Sequence, residues 1–80
     1  MMRIPHELPD EFPLEARLIE QLARTDGRLV TRYEEVNREI YRIESEEEPT
    51  TDEVLERLKK QRLKLKDDIA ATLTKHERRM

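Results

Sequence analysis

The chain has 80 residues, 44% charged and 35% hydrophobic, and its 19 acids and 16 bases leave a net charge of −3. That length allows one small domain. The absence of cysteine excludes disulfides and thiolate metal sites, and the interleaved charges give no overall pull toward nucleic acid or an anionic membrane. No apolar run approaches the roughly 20 residues that cross a bilayer, and the start, Met1 to Glu7, lacks the apolar core of a secretion signal. A cytoplasmic protein without membrane contact is therefore expected. Ten Leu, five Ile and three Val make a thin core for a domain of this size. With no disulfide to help, self-association is the expected support.

Residues 1–9 carry Pro5 and Pro9 among scattered apolar groups and read as an extended arm, because proline fixes its own dihedral and restricts its predecessor. Ile4 and Leu8 are the residues that can pack onto a neighbour. Asp10 then reads as the cap of a helix whose first turn holds Glu11 and Pro13. The hairpin as a whole is expected over residues 10–76.

The first helix is expected over residues 10–45. Its apolar seam is Ile19, Leu22, Leu29, Tyr33, Val36, Ile40 and Ile43, spaced by threes and fours with a break only at Asp26. Gly27 is the one glycine, and Asp26-Gly27 is a turn or cap signal. Because Leu22 and Leu29 keep the heptad phase across it, the pair predicts a kink near residues 25–27 and not a reversal. Glu34 with Arg38 and Glu39 with Arg42 have helical ion-pair spacing and solvate the outer face.

A loop is expected over residues 45–50, where acids crowd the helix end and Pro49 bars its predecessor from the helical region. Thr50 with Glu53 has capping-box spacing for a second helix over residues 51–75. Winding that helix puts Val54, Leu55, Leu58, Leu65, Ile69 and Leu73 on one stripe, with the stem of Arg62 inside it. Leu63 and Ala70 fall on a second flank and call for a second neighbour. Residues 77–80 read as a frayed tail. A short loop between long helices implies an antiparallel, coiled-coil-like hairpin, with Ile43 near Leu55, Val36 near Arg62 and Leu29 near Ile69. Two such hairpins would complete a four-helix bundle, as a dimer first and a tetramer second.

Little in the sequence points to chemistry. Ser45 sits in the loop while His6 and His76 sit in opposite tails, so no nucleophile and base are paired. No metal-ligand spacing and no cofactor motif is present. The acidic loop (Glu44, Glu46, Glu47, Glu48, Asp52, Glu53) lacks the glycine that turns a chain around a cation, and reads as a solvated turn. Arg57, Lys60 and Lys64, extended by Lys75, form a basic face that can track phosphates, although Asp67 and Asp68 interrupt it and no aromatic is interleaved.

The segments Ile4-Pro5-His6-Glu7-Leu8-Pro9, Tyr33 to Ile40 with Arg42-Ile43-Glu44, and Arg62-Leu63-Lys64-Leu65-Lys66-Asp67-Asp68-Ile69 resemble the YdcH-like family. The resemblance covers roughly residues 3–73. It implies a short bacterial helical protein of coiled-coil type and no known activity, substrate or catalytic residue. Core burial does not explain Arg62 or Lys66 in that signature, so Arg62 is expected to pair with Glu39 (or Glu35) across the hairpin and fix its register.

The expected function is that of a non-enzymatic protein–protein interaction or regulatory module acting as a homo-oligomer. The alternative is a nucleic-acid- or ribosome-associated accessory protein using Arg57, Lys60, Lys64 and Lys75.

Overall fold

The structure, a computed structural model, describes residues 4–78, with side chains from Ile4 to Lys75. Expectations placed on residues 1–3, on the His76 side chain and on residues 79–80 lie outside it. The described residues form four helices and no strand: α1 (Leu8–Glu11), α2 (Ala16–Thr25), α3 (Gly27–Glu44) and α4 (Asp52–Arg78). The class is all-α, and α3 and α4 build an antiparallel hairpin in a molecule whose longest extent is 45 Å.

The N-terminal segment departs from the extended arm that its prolines suggest. His6 takes a left-handed φ of 62°, which turns the chain, and one helical turn begins at Leu8. Pro9 lies inside the first turn of α1, where a missing N–H costs nothing. Asp10 lies within that turn and Glu7 stands at its cap, so Asp10 does not cap a long first helix. Pro13 explains why: it has no N–H to continue the ladder, and it keeps Phe12 out of the helical region at φ −132°, ψ 65°. The helix restarts only at Ala16, and Leu14, between the two, is 92% exposed.

The break between α2 and α3 lies at Asp26 (φ −140°, ψ 63°), whose N–H still bonds the Leu22 carbonyl at 2.7 Å. Its carboxylate makes no cap hydrogen bond, contrary to the role a capping Asp would play. Gly27 has no positive φ and is simply the first residue of α3.

The end of α3 is built by the backbone. The Glu46 N–H bonds the Ile43 carbonyl at 3.1 Å and the Glu47 N–H bonds the Arg42 carbonyl at 3.0 Å. Those two bonds, with Glu46 left-handed at φ 62°, are a Schellman motif without its usual glycine. On the far side of the loop the cap is Thr51, not Thr50: its Oγ1 accepts the Val54 N–H at 3.2 Å. Once started, α4 runs to Arg78, past the expected end at residue 75.

Leu8, Leu22, Val30, Tyr33, Ile69 and Leu73 form the main core, with Phe12, Leu18, Ile19, Leu29 and Leu65 packed around it. All four helices contribute to it. The seam extends into the hairpin as Val36 and Ile40, both buried. Beyond them, Ile43, Leu55 and Leu58 are half-buried and Val54 is 38% exposed, since only two helices meet there.

Candidate interaction surface

The polar groups that converge in this fold hold the N-terminal segment down. Asn37, buried on the inner side of α3, donates from Nδ2 to the Pro5 carbonyl at 3.0 Å. Its Oδ1 accepts Arg62 Nη1 at 3.0 Å from across the hairpin. The Tyr33 hydroxyl donates to the His6 carbonyl. Lys66 Nζ donates to Glu11 Oε2 at 3.0 Å, while His6 Nδ1 lies 2.8 Å from Glu11 Oε1. Buried amide and phenol groups need such partners, and here each finds one.

These contacts correct the expected register pair. Arg62 reaches Asn37, while Glu39 is engaged by Arg42 one turn along its own helix. The neighbouring Glu48 of the loop, with Arg42 acting in the same direction, holds the Glu39 carboxyl below the usual carboxylate range, while Glu39 holds Glu48 above it. Arg62 still ties α3 to α4, through a neutral amide. Val36, expected opposite Arg62, is one residue short of the observed partner.

Electrostatics follow the same contacts. The Lys66 hydrogen bond holds the Glu11 carboxyl below its ordinary value, against the opposing effect of burial and with help from His6. Burial, reinforced by the Glu11 charge, pushes the Tyr33 phenol up to about 12.

Two clefts flank the docked segment. One, of about 320 Å³, lies between α1, α2 and α3. Leu8, Pro9, Ile19, Ala23, Val30 and Tyr33 give it an apolar lining, and Glu7, Glu20 and Glu34 add three carboxylates, with Arg38 paired to Glu34 at 3.6 Å. The other, of about 210 Å³, lies on the α4 side and is lined by His6, Glu11, Tyr33, Lys59, Arg62, Leu63 and Lys66. Its cations are engaged: Lys66 by Glu11, Arg62 by Asn37, and Lys59 by Glu44 at 3.1 Å.

Leu63 stands 60% exposed at the edge of the second cleft, and Ala70 is half-buried two turns along. Arg57, Lys60, Lys64 and Lys75 are all exposed. Among the described residues no group of three His, Asp or Glu side chains could hold a metal ion, and no helix is long and apolar enough to cross a membrane. The parts that periodicity missed are Asn37, Glu11 and the Tyr33 hydroxyl. One signal was available: Arg62 and Lys66 recur in a motif that core burial does not account for, and both are now explained by the segment they retain.

No curated protein matches the chain, and no solved structure matches it. The family described as "Protein of unknown function (DUF465)" matches residues 28–73, more than half of the chain. That stretch holds all of α3 but Gly27, the loop and most of α4, including Tyr33, Asn37, Arg62 and Lys66. The chain belongs to this family, the YdcH-like small helical proteins of unknown function that its motifs resemble.

Proposed function

We propose that this chain is a non-enzymatic protein–protein interaction module that works in the cytoplasm as a homo-oligomer of helical hairpins. The observation that carries the reading is Leu63, a large apolar side chain held 60% exposed on a regular helix. It stands at the edge of a cleft, and another apolar cleft opens nearby on the far side of Tyr33. Apolar surface kept open on so small a helical protein is what an interface looks like before its partner arrives. The converging polar groups point the same way. Tyr33, Asn37, Arg62, Glu11 and Lys66 satisfy one another in retaining the N-terminal segment, which leaves them no reacting atom to serve.

Light-scattering chromatography over a concentration series tests the reading. A mass of twice the monomer, or four times, is expected at micromolar concentrations. A single-chain mass throughout would overturn the homo-oligomer.

One observation favours a second reading as a nucleic-acid accessory. Arg57, Lys60 and Lys64 are exposed, and no ion pair engages them among the described residues. Binding to total RNA that weakens steeply with salt would support it.

A further inference from the structure

We propose that two copies pair through the face that carries the N-terminal segment, each seating its Leu63 in the acid-rimmed cleft of the other. This rests on the homo-oligomer reading above and names its surface. The cleft and the knob are complementary in kind. The cleft between α1, α2 and α3 has an apolar lining that includes Leu8, Ile19, Ala23 and Val30, with a volume of about 320 Å³, ample for one leucine side chain. An exposed leucine entering it would bury apolar surface on both sides, which is the main driving force for association.

Charge selects a second copy as the occupant. Glu7, Glu20 and Glu34 line the receiving cleft, partly offset by Arg38. Around Leu63 on α4 stand Lys59, Lys60, Lys64 and Lys66; Glu44 pairs with Lys59 and Glu11 with Lys66, so Lys60 and Lys64, beside Asp67, carry the free positive charge. An acidic cleft thus meets a basic knob, and both belong to one chain. Complementary charge of this kind fixes partner and orientation more than it adds affinity.

Placement supports closure at two copies. Tyr33 lines both the receiving cleft and the cleft beside Leu63, and the N-terminal segment runs between them, with Leu8 in the first and His6 in the second. Knob and cleft therefore flank one central strip. A twofold axis through that strip sets each Leu63 opposite the partner's cleft, an isologous contact that closes on itself. The same arrangement brings two hairpins together as four long helices.

The test uses the full chain and three variants, Leu63→Asp, Glu20→Lys and Lys60→Glu. All three positions are exposed, so each variant should fold, with circular dichroism as the check. The wild type is expected to be a dimer, and each variant alone to dissociate at least about tenfold more readily. An equimolar mixture of Glu20→Lys and Lys60→Glu chains should recover a dimer. In that pair one interface holds both reversed charges and the other holds both native ones.

If the wild type is a dimer that none of the variants weakens, this face is not the interface, while the homo-oligomer reading stands. A monomeric wild type overturns both. Loss without recovery in the mixture overturns the cross-seated geometry, as does a mass that keeps growing with concentration. A wild-type monomer that captures a short basic peptide in the same cleft would assign the site to another protein.

Discussion

The two ends of this hairpin carry apolar stripes of similar quality and bury them very differently. Toward the start of α3, Val30 and Tyr33 meet Ile69 and Leu73 under a cover of α2 and the single turn of α1, and all four are buried. Toward the loop, Ile43, Leu55 and Leu58 hold equivalent stripe positions and stay half-buried, with Val54 beside them exposed. The helices are the same two. What differs is the third layer, and that layer is retained by hydrogen bonds from Tyr33, Asn37 and Lys66 to residues between Pro5 and Glu11. A heptad stripe specifies a direction for packing; whether it becomes core depends on what else arrives to cover it.

The sharpest way to probe this contrast is to make one chemical change at both ends. Leu22→Ala removes a side chain 1% exposed in the covered core and should cost about 2–5 kcal/mol, a large share of the stability of so small a domain. Leu55→Ala removes the same atoms from a half-exposed site, where solvent takes the place of a cavity, and should cost below about 1 kcal/mol. Urea unfolding followed by circular dichroism measures both. Equal losses would mean that the third layer contributes little.

The hairpin itself was legible because its signals are local. Spacing by threes and fours gave α3 and α4, and the acidic stretch before Pro49 gave the loop. The N-terminal segment was not legible, for a physical reason. Pro5 and Pro9 indicate that no long helix forms before residue 10. Pro13, expected in the first turn of a long helix, instead breaks the chain, and composition is silent on whether a broken chain lies on the surface or leaves it. That is decided by partners far along the sequence: Tyr33 for His6, Asn37 for Pro5 and Lys66 for Glu11. Asn37 stands one turn after Tyr33 on the buried side of α3, and its amide has a role only once the Pro5 carbonyl is placed beside it. The Arg62 pair failed likewise: charge suggested a carboxylate, while the folded chain offered an amide oxygen already oriented by the docked segment.

Acid should separate the two ends a second way. Glu11 is held below its ordinary pKa of 4.5, first by the Lys66 hydrogen bond. Its contribution to stability is therefore complete above that value and is lost as pH falls through the lower pKa of the folded state. The effect should be confined to the covered end. Amide exchange at Leu8 to Phe12 should accelerate on acidification before exchange in the loop half of α4 does. Lys66→Met should flatten that dependence and cost about 1 kcal/mol at neutral pH, a charged hydrogen bond discounted for its partial exposure. An arm whose protection ignores both acid and Lys66 would have to be held by Leu8 and Phe12 and by the Tyr33 and Asn37 hydrogen bonds, without help from Glu11.

The smallest effects concern where the chain places its one glycine. Gly27 adopts no positive φ, and a Cβ there would meet nothing within 4 Å, so the α2–α3 break at the covered end owes nothing to it. Gly27→Ala should raise stability by about 0.4–1 kcal/mol by restricting the unfolded chain. At the loop end the need is reversed: Glu46 sits left-handed at φ 62° in the Schellman turn, a conformation that disfavours any side chain. Glu46→Gly should relieve that strain, and after the greater unfolded freedom of glycine is subtracted the gain should be about 0.5–1 kcal/mol. The two sites lie at separate breaks in the chain, so thermal melts of the double variant should give the sum of the single shifts. A loss at Gly27→Ala would mean that the covered end requires glycine's freedom at its junction. The break would then depend on Gly27, and not on Asp26 and the layer packed above it.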